Sequence, residues 1–256
     1  MSTYFTNFPE VPYKFGANLP TVAYQNLTAY VDVIDQIKDN IAFYRNYYIQ
    51  EGDRPDQLSF ELYGTTDYYW MFYLLNDHIK EQGWPLTYDA LSTLIDKDLI
   101  HTVVETKDII SDKFKVGQLV TGSSSGVSGT IAHRNLDLGQ LYIKDLQGGT
   151  FRSTEVLTSQ VGENIESITL ISSAAEKNAV RYYIDGDSLH CDIDPHADRP
   201  NTKTPVTHLD YYLAENEKLK SIRVIRPDAV RDIFREFQDK FLDGWIIYAL
   251  WSSWVW

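Results

Sequence analysis

The segment from Tyr47 to Asn76 constrains the fold most, because its start and stop signals leave room only for short elements. A brief alternating run ends at Gly52-Asp53, and Arg54-Pro55-Asp56 opens a helix in which Leu58 and Leu62 share a face. Gly64 supplies the left-handed stop. Asp53 is expected to cap that helix, with Pro55 in its first turn. Thr65 or Thr66 is expected to cap a second helix, lined by Trp70, Tyr73 and Leu74 and ending at Asn76. Trp84-Pro85-Leu86 reads as an extended exit, and a closing strand is expected within Leu99 to Val104. The order is strand, helix, helix, strand.

The flanks differ in character. Pro9, Pro12 and Pro20 deny the start of the chain a helix or central strand, so it reads as an extended arm carrying Tyr4, Phe5, Phe8, Tyr13 and Phe15. Such an arm must lay its aromatics over its own domain or over a neighbouring subunit. From Thr28 to Tyr44, Tyr30, Val33, Ile34, Ile37, Ile41 and Tyr44 recur at threes and fours, predicting an amphipathic helix with a core-facing stripe. Between about Asp108 and Ile171, short β-branched runs separated by Gly, Ser, Asn and Asp predict a small all-β barrel or curled meander. Those runs are Phe114 to Gly122, Gly129 to Ala132, Gln140 to Asp145 and Ile165 to Ile171. Asp185 to Pro205 reads as a loop or a segment ordered by a partner. Leu219 to Ile225 reads as a strand, and Pro227 opens a helix with Val230, Ile233, Phe234, Phe237 and Phe241 on one face. The expected divisions are an arm (1–27), a helix plus strand–helix–helix–strand core (28–107), a β module (108–172), a loop region (173–206), a strand–helix (207–244) and a Trp-rich tail (245–256).

Charge narrows the partner. With 23 basic and 36 acidic residues the formal charge is −13, which opposes nonspecific attraction to nucleic acid or to an anionic membrane surface. The 18 Tyr, 11 Phe and 6 Trp instead favour protein contacts, where a ring has one dry side and a satisfied polar tip. One cysteine, Cys191, permits no internal disulfide. Met1 to Pro9 lacks the basic-then-apolar pattern of a signal peptide, and no apolar run is long enough to span a bilayer; the nearest, Gly244 to Trp256, has no Lys or Arg face.

No reaction chemistry emerges. Gly122-Ser123-Ser124-Ser125-Gly126 fits the nucleophile-elbow pattern, but that elbow needs a following helix, and Val127 to Ile131 reads as a strand. A serine-rich hairpin loop is the expectation. His190 to Asp198 gathers metal-capable side chains without zinc or calcium-loop spacing and reads as a solvated acidic loop. His78, His101, His133 and His208 are scattered, and neither Asp67 with Asp77 nor Glu51 with Asp53 makes a facing glycosidase pair. No catalytic residue, cofactor or metal site is expected.

Gly52-Asp53, Leu58-Ser59, Tyr63-Gly64-Thr65-Thr66 and Leu75-Asn76 resemble the LysM domain, a βααβ module best known for binding cell-wall glycans. Arg45 to Ile49, Arg54-Pro55-Asp56, Leu62-Tyr63-Gly64, Tyr69-Trp70, Asn76-Asp77 and Gly83-Trp84 together resemble the baseplate wedge subunit with a LysM-like domain of T-even-like contractile-tailed bacteriophages. So does the block Glu215 to Lys220 followed by Ile222 to Ile225. The β module and the Trp-rich tail depart from that family's pattern. The implied fold is α+β: a LysM-like βααβ core with an extended aromatic N-terminal arm, an inserted small all-β module and a C-terminal strand-helix. The implied role is structural, in the virion's tail baseplate after assembly in the host cytoplasm. There the chain clamps wedge proteins and connects neighbouring wedges of a sixfold assembly. Candidate partner-binding residues are Phe5, Phe8, Arg54, Tyr63, Tyr69, Trp70, Trp84, Trp251 and Trp254. The alternative is a peptidoglycan-binding LysM protein of a phage tail, against which stands the loop after Gly52-Asp53, lengthened by Arg54 to Gln57.

Overall fold

In a computed structural model, residues 10–14, 16, 20–25, 42–198 and 202–235 are described. The chain forms two compact units, residues 1–87 with 216–256, and residues 88–215. The fold is mixed α+β with antiparallel sheets, as the sequence led one to expect at that level.

In the first unit, β1 (Glu10–Tyr13) and β2 (Val22–Gln25) pair as an antiparallel ribbon. The expected arm is therefore extended but paired with itself; Pro12 is tolerated because a two-stranded ribbon has only edge strands. The helix expected over 28–44 lies outside the described residues except at its end, where Tyr44 begins a strand instead. That strand, β3 (Tyr44–Tyr48), leads through Ile49 and Gly52 to α1 (Pro55–Tyr63), α2 (Tyr69–Leu75) and α3 (Asp77–Gln82). Pro55 starts α1, which makes Arg54 the N-cap residue rather than Asp53. Asp53 closes the preceding turn by accepting the Gln50 N–H at 2.9 Å. Likewise Tyr68, not Thr65 or Thr66, precedes α2, while Thr65 Oγ1 accepts the Asp67 N–H. Gly64 ends α1 in the left-handed region, at φ 74°, and returns its N–H to Phe60 O.

The partner of β3 corrects the expected topology. It is not within Leu99 to Val104 but is β13 (Ser221–Ile225), antiparallel, with Ile222 opposite Tyr47 and Val224 opposite Arg45. Asn76 explains how so distant a strand is held. Its buried amide donates to Phe72 O and Arg223 O, both at 2.8 Å, and accepts the Arg223 N–H at 2.7 Å, across 147 residues. Asn216 does the same to Leu86, taking its N–H at 2.8 Å and donating to its carbonyl at 2.9 Å. Each amide thus imitates a strand neighbour. Ile49, Leu58, Phe72, Ile79, Leu219, Ile222 and Val224 form one core; Trp70, Met71, Leu75, Ile225, Val230 and Ile233 form another. Residues 230–235 are helical, as the spacing of Val230, Ile233 and Phe234 implies; Phe237 and Phe241 lie outside the described residues.

The second unit opens with α4 (Tyr88–Asp98), which the sequence reading missed although Leu91 and Ile95, one turn apart, are both buried. A closed six-stranded barrel follows: β4 (Thr102–Thr106), β5 (Leu119–Gly122), β6 (Ser128–Asn135), β7 (Gln140–Gln147), β8 (Val156–Val161) and β9 (Asn164–Ala175), in the order β4-β7-β6-β5-β8-β9. The segment expected to close the βααβ core thus enters the barrel as β4. Phe114, Val120, Ile131, Leu141, Ile143, Leu157 and Ile168 fill the interior, so the barrel is packed and not a ligand lumen. The region expected as a loop over 173–206 holds β10 (Val180–Ile184), β11 (His190–Cys191) and the start of β12 (Thr204–Thr207), in the sheet order β11-β10-β12. Of these, β11 and the first residues of β12 fall in the polar stretch Asp185 to Pro205. α5 (His208–Leu219) follows directly and was also missed. Its signal is Thr207-His208-Leu209-Asp210: Thr207 Oγ1 accepts the Asp210 N–H at 3.1 Å, and Asp210 Oδ2 accepts the Thr207 N–H at 3.0 Å.

Candidate assembly interface

The polar residues of the strand–helix–helix pattern are consumed within the first unit. Ser59 is fully buried; its hydroxyl donates to Thr65 O at 2.7 Å and accepts the Tyr68 N–H at 3.2 Å, fixing the turn between α1 and α2. Asp53 O accepts the Trp84 indole N–H at 2.7 Å. Tyr63 donates its hydroxyl to Ile225 O at 3.0 Å, and burial pushes its pKa up.

These contacts place the candidate partner-binding residues. Trp70 is buried in the core with Phe234, at a ring distance of 6.1 Å. Tyr63 and Trp84 are half-buried against Phe72, 6.1 and 6.0 Å away, and Tyr69 is half-buried beside the Trp70 core. Arg54 is exposed and pairs with Asp56 at 3.0 Å. Phe5, Phe8, Trp251 and Trp254 lie outside the described residues. Not singled out from the sequence, Phe60 on α1 and Tyr48 on β3 are exposed.

The outer face of the β3–β13 ribbon carries Tyr44, Asn46, Tyr48, Ser221 and Arg223, with the Arg223 guanidinium 4.9 Å from the Tyr44 ring centre. A depression of about 460 Å³ is lined by Asn46, Leu75, Asn76, Asp77, His78, Ser221, Ile222 and Arg223. His78 Nε2 there is buried with no hydrogen-bond partner among the described residues. The lining is mostly polar.

A family match falls mainly on this unit. Residues 3–93 match the family of base plate wedge protein 53. The match spans β1–β3 and α1–α3, ends inside α4, and leaves the barrel outside. No curated protein matches the chain. Through the base plate wedge protein 53 match the chain is a structural component of the phage tail baseplate, part of the virion and not an enzyme. The matched family implies assembly with other baseplate proteins, and among the described residues no helix is long and apolar enough to cross a membrane.

The clusters in the second unit read as structural. The serine-rich hairpin cradles the chain's own buried Glu155. One carboxylate oxygen accepts the Ser124 and Ser125 N–H groups at 3.1 and 2.9 Å, and the other accepts the Ser125 hydroxyl at 3.0 Å and the Arg152 N–H at 2.6 Å. Burial pushes this carboxyl up, but the hydrogen bonds outweigh it and hold the pKa below the ordinary value. No helix follows Ser124, so the elbow geometry is missing. His101 Nδ1 meets Glu176 at 2.7 Å, the His133 ring stacks on Tyr142 at 3.6 Å, and His208 Nε2 meets the Tyr142 hydroxyl at 3.3 Å. Burial, then the Arg181 guanidinium, depresses the His208 pKa; burial, then His101, depresses that of His133. Burial, then Glu176, pushes Tyr142 up to about 12. Among the described residues no group of three or more His, Cys, Asp or Glu could hold a metal; in the acidic segment, His196 meets Lys107 O at 2.8 Å and Asp198 pairs with Lys107.

Proposed function

We propose that this chain clamps baseplate wedge proteins together and connects adjacent wedges of a sixfold baseplate by protein–protein contacts. β3, α1, α2 and β13 serve in this reading as a LysM-like βααβ unit used as a protein clamp. The family match over residues 3–93, which includes β3, α1 and α2 but not β13, carries the reading. Arg54 makes direct contact with a partner, whereas Tyr63, Tyr69, Trp70 and Trp84 act by holding the unit's shape. Phe5, Phe8, Trp251 and Trp254 supply the aromatic ends of the same contacts. Coexpression with the other wedge proteins followed by size exclusion tests this. Comigration in a stoichiometric complex is expected; elution apart from every one of them contradicts it, and sedimentation with peptidoglycan points to glycan binding instead.

A further inference from the structure

The two edges of the β3–β13 ribbon are treated differently. Ile49 donates to Lys220 O and Arg226 donates to Phe43 O, so the odd-numbered residues of β3 exchange bonds with β13. Alternation turns the backbone groups of Tyr44, Asn46 and Tyr48 away from β13, and those of Ser221, Arg223 and Ile225 away from β3. On the β13 side the central groups are covered: Asn76 takes both groups of Arg223, and Tyr63 takes Ile225 O, while those of Ser221 and the Ile225 N–H meet nothing among the described residues. On the β3 side the Gln50 amide reaches Tyr48 O, and the outward groups of Tyr44 and Asn46 meet nothing among the described residues. Where β13 is capped at its centre by side chains, the centre of the β3 edge is open among the described residues, which makes it a template for another strand.

We propose that the outer edge of β3 receives an extended, acidic segment of another baseplate protein, added as a third strand. This rests on the wedge-assembly reading and names the chemistry of its partner. Charge selects an acidic segment: exposed Arg45 and Arg223 flank the edge on the two faces of the ribbon, in a chain of net charge −13. Main-chain bonds to Asn46 supply affinity, and the Tyr44–Arg223 face receives the alternate side chains of the incoming strand.

Asn46→Pro tests this, because the N–H it removes points away from β13 and the β3–β13 ladder keeps its bonds. Wild-type, Asn46→Pro, Asn46→Ala and Arg45→Glu full chains are titrated onto the coexpressed, purified wedge proteins. Thermal unfolding checks that each variant is folded. Expected are roughly tenfold weaker binding for Asn46→Pro, near wild-type binding for Asn46→Ala, and weaker binding for Arg45→Glu with a shallower salt dependence. If wild-type binds and folded Asn46→Pro binds equally, strand addition is wrong while the wedge reading stands; if wild-type does not bind, the wedge reading itself has failed. Should Asn46→Pro be unfolded, amide exchange of the wild-type chain decides. Protection of Tyr44, Asn46 and Tyr48 gained only in the complex supports the proposal, and protection already present in the free chain, or gained by dimerisation alone, overturns it.

Discussion

The barrel and the ribbon solve the same problem in opposite ways. A sheet presents unpaired backbone at its margins, and the six strands β4–β9 remove those margins by closing on themselves around Phe114, Leu141 and Leu157. The two strands β3 and β13 cannot close. One margin is capped at its centre by Tyr63 of α1 and by Asn76 just after α2, and the centre of the other is open among the described residues. A region that finishes its own hydrogen bonding is complete as it stands, whereas one that leaves an edge open is suited to assembly.

Substitutions that strike each solution should separate the two regions, since Trp70 and Trp84 report on the first unit and the second, residues 88–215, contains no tryptophan. Asn76→Ala should have the largest effect. It strands the Arg223 N–H and carbonyl and costs about 3 kcal/mol in urea unfolding followed by tryptophan fluorescence. Gly122→Ala should cost about 2 kcal/mol and leave the fluorescence transition unmoved while shifting the circular dichroism transition. A Cβ there would collide with Ser125 Oγ and with the Glu155 carboxylate, opening the carboxylate cradle. Ser59→Ala should cost about 1 to 2 kcal/mol, again in the fluorescence transition, because it leaves the Tyr68 N–H without its acceptor.

Acid sharpens the contrast further. His133 and His208 have folded pKa values below the ordinary 6.5, so the unfolded state takes up protons first as pH falls through that value. Their contribution is complete above it and is lost as pH falls towards the folded values. Glu155 repeats this below its ordinary 4.5. Acidification from neutral pH should therefore lower the circular dichroism midpoint before the tryptophan midpoint, and His208→Phe should blunt the early part of that loss.

What the sequence disclosed followed from the range of each interaction. Gly64 as a helix stop and Pro55 in a first turn depend on φ preferences within a few residues, and the structure keeps both. The pairing of β3 depends on Asn76 reaching Arg223 across 147 residues, and local patterning carries no trace of that reach. It pointed instead to the nearest β-branched run, Leu99 to Val104, which the barrel claims. The missed helix α5 had a local signal in the reciprocal Thr207–Asp210 cap, hidden by the proline-rich stretch before it. For the interface, aromatic identity suggested Trp70 and Trp84; large rings also make good core, and Trp70 is buried while Trp84 is half-buried. The open edge is a property of pairing rather than of residue type, so no residue in β3 announced it.

Backbone hydrogen exchange of the full chain, free and bound to the coexpressed wedge proteins, tests the central contrast most directly. The account predicts new protection concentrated at residues 42–50, with the barrel strands between Thr102 and Ala175 unchanged. New protection confined to the barrel, with residues 42–50 exchanging as in the free chain, would contradict it.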